Sequence, residues 1–144
     1  MVTLSIRDEI VEVINKLFIY TDMQEWDKLQ NEVFSDDVLF DMSSVGGKKE
    51  ETSSKEICEI WRNGFIGIDS INHLSGNHLV NINDTIATVF AYATATHYKQ
   101  SAKNGKTREF VGTYNISLMK HGVGWRIYEF KYNLKYSTGN INLS

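Results

Sequence analysis

Four long runs rich in β-branched and aromatic residues, at 71–82, 86–99, 107–120 and 125–136, fill the second half of the chain and constrain it most. Only Asn83-Asp84, Lys103-Asn104-Gly105-Lys106 and His121-Gly122-Val123-Gly124 separate them. Connections this short cannot make parallel crossovers, so the runs predict an antiparallel meander. Asn104-Gly105 predicts a type I′ turn that sets the register, because both central positions need positive φ. Strands of such length twist and curl, and whatever precedes them must cover one face.

What precedes them reads as helix. Ser5 with Asp8 forms a capping box, after which Ile6, Ile10, Val13, Leu17 and Tyr20 fall within about 40° of one line at helical spacing. Tyr20 ends that stripe, either as a core residue or with its hydroxyl entering a cavity. Asp22 and Glu25 predict a second capping box for a short helix through Trp26, Leu29 and Val33, broken by Asp36-Asp37. Residues 38–42 read as a first strand, and residues 44–52, with Gly46-Gly47, as a loop or ragged hairpin. Ser53 with Glu56 caps a third helix whose stripe is Ile57, Ile60, Trp61, Phe65 and Ile68. Cys58 lies beside that stripe as packing. Helices followed by a meander give an α+β order, with three N-terminal helices on a strongly bent, mostly antiparallel sheet. A chain of 144 residues predicts one domain, 1–144.

Composition excludes several functions. A net charge of −3 with scattered Lys and Arg argues against nucleic acid as a partner. No apolar run reaches the roughly 20 residues that span a bilayer, and residues 1–5 lack a signal-peptide pattern, so the expected location is cytoplasmic and no membrane partner is expected. A single cysteine leaves no internal disulfide and no Cys-based zinc site. His73 and His78, five apart, point to opposite faces of a regular strand, and no HxH or HxxxH pair is present, so no metal is expected.

The residues able to carry chemistry are few. Asp22 sits where the first helix stops, so an acid there overhangs whatever the helices cover. His73 alternates with Ser75 and Asn77, whereas Leu74, Val80 and Ile82 read as core; in a regular strand His73 then faces outward, and a β-bulge near residues 76–79 could bring both sets inward, so the pattern leaves its face open. In the next strand, Val89, Ala91, Ala93, Ala95 and His97 share a face. Three alanines leave either close helix approach or a cavity, and His97 lines the cavity if one remains. His121 lies in a turn. The opposite alternation exposes Phe90, Tyr92 and Tyr98 on the convex face, which predicts a homodimer through the sheet.

Asp22-Met23-Gln24-Glu25-Trp26-Asp27-Lys28-Leu29, Asn72-His73-Leu74-Ser75-Gly76, His97 late in a strand, and Gly122-Val123-Gly124-Trp125-Arg126-Ile127 occur together in this order. In these motifs the chain resembles the NTF2-like superfamily, in particular the SnoaL-like group close to scytalone dehydratase. The likeness runs from Ile6 to about Tyr136. It implies a cone-shaped α+β barrel around an apolar pocket, dimerisation through the sheet, and an acid–base trio of Asp22, His73 and His97. In such a trio the carboxylate fixes the tautomer of one histidine, and the other protonates a leaving oxygen or steadies an enolate. The dehydratase's two carbonyl-activating tyrosines align with Thr21 and Met42, with Tyr20 one residue off, and its serine and asparagine contacts align with Gly112 and Tyr114. Those departures argue against scytalone as substrate. Tyr20, Phe40, Met42, Trp61, Phe65, Tyr114 and Tyr128, with Asn77, are the expected pocket residues, suited to a flat or cyclic apolar molecule.

The leading expectation is a cofactor-free lyase or isomerase acting on a small aromatic or polyketide-like carbonyl compound. The alternatives are a non-catalytic module binding a small hydrophobic ligand, or a structural subunit like the small subunits of ring-hydroxylating dioxygenases. Asp22 discriminates among them: a mere cap points at backbone amides, whereas a catalytic partner reaches a histidine.

Overall fold

The computed structural model describes residues 3–144. Chain order is α1 (Ile6–Asp22), α2 (Trp26–Lys28), a π-helical turn (Leu29–Val33), β1 (Phe34–Asp41), a 3-10 turn (Ser43–Val45), β2 (Lys49–Ser53), α3 (Ser54–Gly64), β3 (Ser70–Asn83), β4 (Ile86–Tyr98), β5 (Thr107–His121) and β6 (Gly124–Gly139). The strands form one sheet in the order β2-β1-β6-β5-β4-β3. Only the β1–β6 pair is parallel; the other pairs are antiparallel. The expected α+β architecture and the meander of β3 to β6 are therefore present, with the helices on the concave face of a curved sheet.

The expected caps hold α1 and α3. Ser5 Oγ accepts from the Asp8 amide at 3.1 Å, and Ser53 Oγ accepts from the Glu56 amide at 3.1 Å. The buried arc of α1 is Ile10, Val13, Ile14, Leu17, Phe18 and Thr21. It is rotated from the expected stripe, leaving Ile6 exposed and Tyr20 at its edge. In α3, Ile57 and Cys58 are buried whereas Ile60 is 44% exposed. No helix among the described residues is long and apolar enough to cross a membrane.

Three local expectations need correction, and the choice left open for residues 44–52 falls on the hairpin. Asp22 does not cap α2: it is the last residue of α1, and Glu25 occupies the N-cap position without a side-chain bond. The first strand begins at Phe34, so Asp36 and Asp37 lie within it as exposed residues. Residues 49–53 form β2 in antiparallel register with β1, which makes the segment a hairpin. Asn104-Gly105 is not a type I′ turn, since only Gly105 takes positive φ (105°). The Asn104 amide instead donates to the Ser144 carbonyl at 3.0 Å, so the eight-residue loop between β4 and β5 is shaped by the residues after β6.

The β3 strand carries the bulge that would bring both sets inward. Register with β4 shifts between Gly76 and Leu79, and Asn77 takes φ 55°. Before the bulge Ile71 pairs with His97 and His73 with Ala95; after it Val80 pairs with Val89. Two residues of β3 there stand opposite Ala91 alone, and that one extra residue turns His73 and Val80 to the same side. Leu74, expected in the core, is 69% exposed because it alternates with His73. Both readings of the alanine run apply: Ala91 and Ala93 are buried in the core, whereas Ala95 and His97 line a cavity.

Candidate active site

A cavity of about 440 Å³ lies between α1, α3 and the sheet. The packing of α1 across β3 places the end of the helix beside His73. Asp22 Oδ2 accepts from the His73 backbone N–H at 2.9 Å, and Oδ1 lies 2.5 Å from His73 Nδ1. A carboxylate only accepts, so Nδ1 carries the proton and Nε2 is the free nitrogen of a ring that lines the cavity. Both side chains are largely sequestered, at 16% and 10% exposure. Burying a carboxylate costs several kcal/mol unless it is paired, and this one has two donors from one residue. Phe18, one turn before Asp22, stacks on the imidazole with centroids 5.1 Å apart and holds its plane.

His97 is a different kind of group. It is 7% exposed and lies between the rings of Phe65 and Phe110, each with its centroid 5.5 Å away. Its Nδ1 accepts from Arg108 Nε at 3.0 Å. A guanidinium never accepts, so Nδ1 is unprotonated and the neutral ring carries its hydrogen on Nε2. Burial, then the neighbouring Arg108 charge and His73, hold its pKa down at about 4. His97 is thus a neutral hydrogen-bond donor near pH 7.

Of the expected pocket residues, Met42, Trp61, Phe65 and Tyr114 line the cavity. Four do not. The Tyr20 ring sits outside it, with Lys28 Nζ 5.6 Å from its centroid, because the buried arc of α1 passes through Thr21 instead. Phe40 is in the core behind the wall, packed on Trp61 and Phe130. Asn77 is exposed at the bulge it creates. Tyr128 is displaced by a second bulge: Ile127 pairs with Leu118 and Glu129 with Ser117, leaving Tyr128 outside the register. That shift turns Phe130 and Tyr132 inward.

Sequence reasoning missed Arg108, Phe110 and Tyr132, and the wall formed by Ile141 and Asn142. A signal existed for Arg108 and Phe110, which share strand alternation with Tyr114. Ile141 is held by its carbonyl accepting from Arg108 Nη1 at 2.7 Å, a contact with no trace in local pattern. His78, His121 and Cys58 stay apart from the cavity. Among the described residues no cluster of three His, Cys, Asp or Glu has the arrangement to hold a metal ion.

Comparison with known proteins places this geometry. Residues 2–131 match the family described as the SnoaL-like domain. No match is found among curated proteins. Among solved structures, the Kfla4162 protein from Kribbella flavida is similar at TM-score 0.88 and 25% identity, over 95% of each chain. A candidate scytalone dehydratase from Novosphingobium aromaticivorans DSM 12444 is similar at TM-score 0.80 and 15% identity, over 93% of this chain and 87% of that one. The hexachlorocyclohexane dehydrochlorinase LinA-type3 from Novosphingobium barchaimii LL02 is similar at TM-score 0.76 and 12% identity, over 92% and 88%. The last two likenesses concern the fold alone. Matched over most of its length and carrying the fold its sequence implied, the chain belongs to the SnoaL-like domain family.

Proposed function

We propose that this chain is a cofactor-free acid–base enzyme, a lyase or isomerase, acting on a small cyclic or aromatic carbonyl compound of polyketide-like character. One observation carries the reading: the Asp22 carboxylate grips His73 by both its amide and Nδ1, leaving Nε2 as a base. In the proposed reaction Nε2 takes a proton from the carbon next to the carbonyl. The C–H electron pair becomes the enolate double bond, and the carbonyl π pair moves onto oxygen. When the enolate collapses, it either expels a β-substituent, which takes the proton back from His73, or is reprotonated at another carbon. The first outcome is elimination, the second isomerisation. Asp22 stabilises the intervening imidazolium.

His97 serves in this scheme as a neutral donor toward the substrate and not as a proton source, since its ring is neutral near pH 7 and its Nδ1 already accepts from Arg108. The enzyme neighbours support an eliminating activity, because dehydratase and dehydrochlorinase both name eliminations. A module that only holds a hydrophobic ligand needs the same apolar cavity but has no use for an oriented base; the Asp22–His73 contact favours chemistry.

The test is α-hydrogen exchange of cyclic aryl ketones, 2-tetralone first, in D2O followed by proton NMR. The protein should speed deuterium uptake well above buffer, and His73→Phe, which keeps the stack on Phe18, should return the rate to background. Exchange unaffected by His73→Phe would refute the reading.

A further inference from the structure

Two phenols in the cavity wall are used by nothing else in the protein. Tyr114 on β5 and Tyr132 on β6 are 7% and 5% exposed, pair directly in the sheet register, and have ring centroids 4.8 Å apart. Among the described residues neither hydroxyl has a hydrogen-bond partner, and neither is sealed away, since both residues line the cavity. A buried Tyr ordinarily finds a partner for its O–H. Burial pushes the Tyr132 phenol up to about 12, and burial, then Tyr132 and the Asp22 charge, raises Tyr114. Both therefore remain protonated donors at any ordinary pH.

The backbone makes room for this pair. A Cβ on Gly112 would lie 2.6 Å from the Tyr132 hydroxyl and 2.4 Å from the Asn133 carbonyl oxygen. Only glycine at this strand position lets the Tyr132 ring lie across β5 with its hydroxyl at the cavity wall. The Tyr114 ring stands edge-on to Phe18, 5.2 Å away, and Phe18 in turn stacks on His73. The phenols and the imidazole thus line one cavity, with Phe18 between Tyr114 and His73.

We infer that Tyr114 and Tyr132 together form a binding site for a substrate oxygen that carries or gains negative charge, a ketone oxygen becoming an enolate or a phenolate-like oxygen. This rests on the acid–base reading and narrows it: the substrate is an oxygenated ring, and a purely halogenated or hydrocarbon ring lacks the group these donors need. Two neutral donors suit an oxygen whose charge develops during reaction, because a fixed cation would bind a ground-state carboxylate as well.

The experiment uses 4-nitrophenolate as the probe, with 4-nitrotoluene as an isosteric control without the oxygen. Binding to the wild-type protein, Tyr114→Phe, Tyr132→Phe and the double variant is measured by absorbance and calorimetry in mildly alkaline buffer. Each single variant should bind 4-nitrophenolate about tenfold or more weakly, the scale of one hydrogen bond to a charged acceptor, while 4-nitrotoluene affinity stays unchanged. Since neither hydroxyl holds the fold, both variants should melt at or above the wild-type temperature. The inference is overturned if wild-type protein does not bind 4-nitrophenolate, if the double variant binds it equally well, or if either variant is clearly less stable. Asp22→Asn should retain 4-nitrophenolate, because binding needs no base. Loss of the probe site with ketone exchange intact therefore sinks this inference alone, and the converse sinks only the acid–base reading.

Discussion

His97 should make the protein lose stability in mild acid. Its pKa falls from an ordinary 6.5 to about 4 in the fold, because burial and the Arg108 charge disfavour the imidazolium. Below pH 6.5 the unfolded chain binds a proton at this residue that the folded protein refuses until about pH 4. Unfolding therefore takes up a proton across that window, so stability falls as pH drops through it and levels off below. The full difference is about 3 kcal/mol at roughly 1.4 kcal/mol per pKa unit, of which some 2–3 kcal/mol should be gone by about pH 4.5. Urea unfolding of wild type and His97→Gln at several pH values isolates this contribution, because carboxylates and the other histidines cancel in the difference. The wild-type curve should fall more steeply than that of His97→Gln between pH 6.5 and 4. Parallel curves would refute the assignment of His97 as a neutral, buried imidazole.

Three further outcomes follow from the same contacts. Replacing Arg108 with Met removes the donor at 3.0 Å and its charge, so the His97 midpoint followed by NMR should move up; an unmoved midpoint would mean that the contact does not set it. Cys58 is 3% exposed, and burial pushes its thiol up to about 11; it should react with a disulfide reagent only as the protein unfolds, and fast labelling of native protein would contradict the packing. We propose pairing through the convex face, where Leu74 is 69% and Tyr92 43% exposed; light scattering at micromolar concentration should give a dimer that Tyr92→Glu weakens, and a monomeric wild-type mass would count against it.

Much of this fold was legible because its strands are long and its helices carry clean caps. The meander needed only composition and short connections, whereas the alternation in β3 left the face of His73 open and offered the bulge as one of two readings. What escaped was decided by the tertiary structure. The 49–53 segment, Lys-Glu-Glu-Thr-Ser, has no apolar alternation and so allows either loop or hairpin, and the edge that β1 offers decides for the hairpin. The turn at Asn104-Gly105 was misread because its amides bond to Ser144, a partner 40 residues away. Tyr128 and Tyr132 exchanged places through a bulge between β5 and β6 that no glycine or asparagine announces. Tyr20 was placed in the pocket by a rotation error of less than one residue along α1. Asp22 and His97 were placed by a helix end and by the alternation of an alanine-rich strand, whereas the inward side of His73 needed the family resemblance, since its own strand allowed either face.

The central claim is that Asp22 makes His73 a base and is not a helix cap. Its most direct test is the rate of ketone α-hydrogen exchange in Asp22→Asn, which keeps the shape of the contact with the His73 amide but removes the charge. Exchange should fall by at least about a hundredfold, the usual scale of lost acid–base assistance, while 4-nitrophenolate still binds. An exchange rate within a few-fold of wild type would contradict the account, leaving Asp22 a structural tie between α1 and β3.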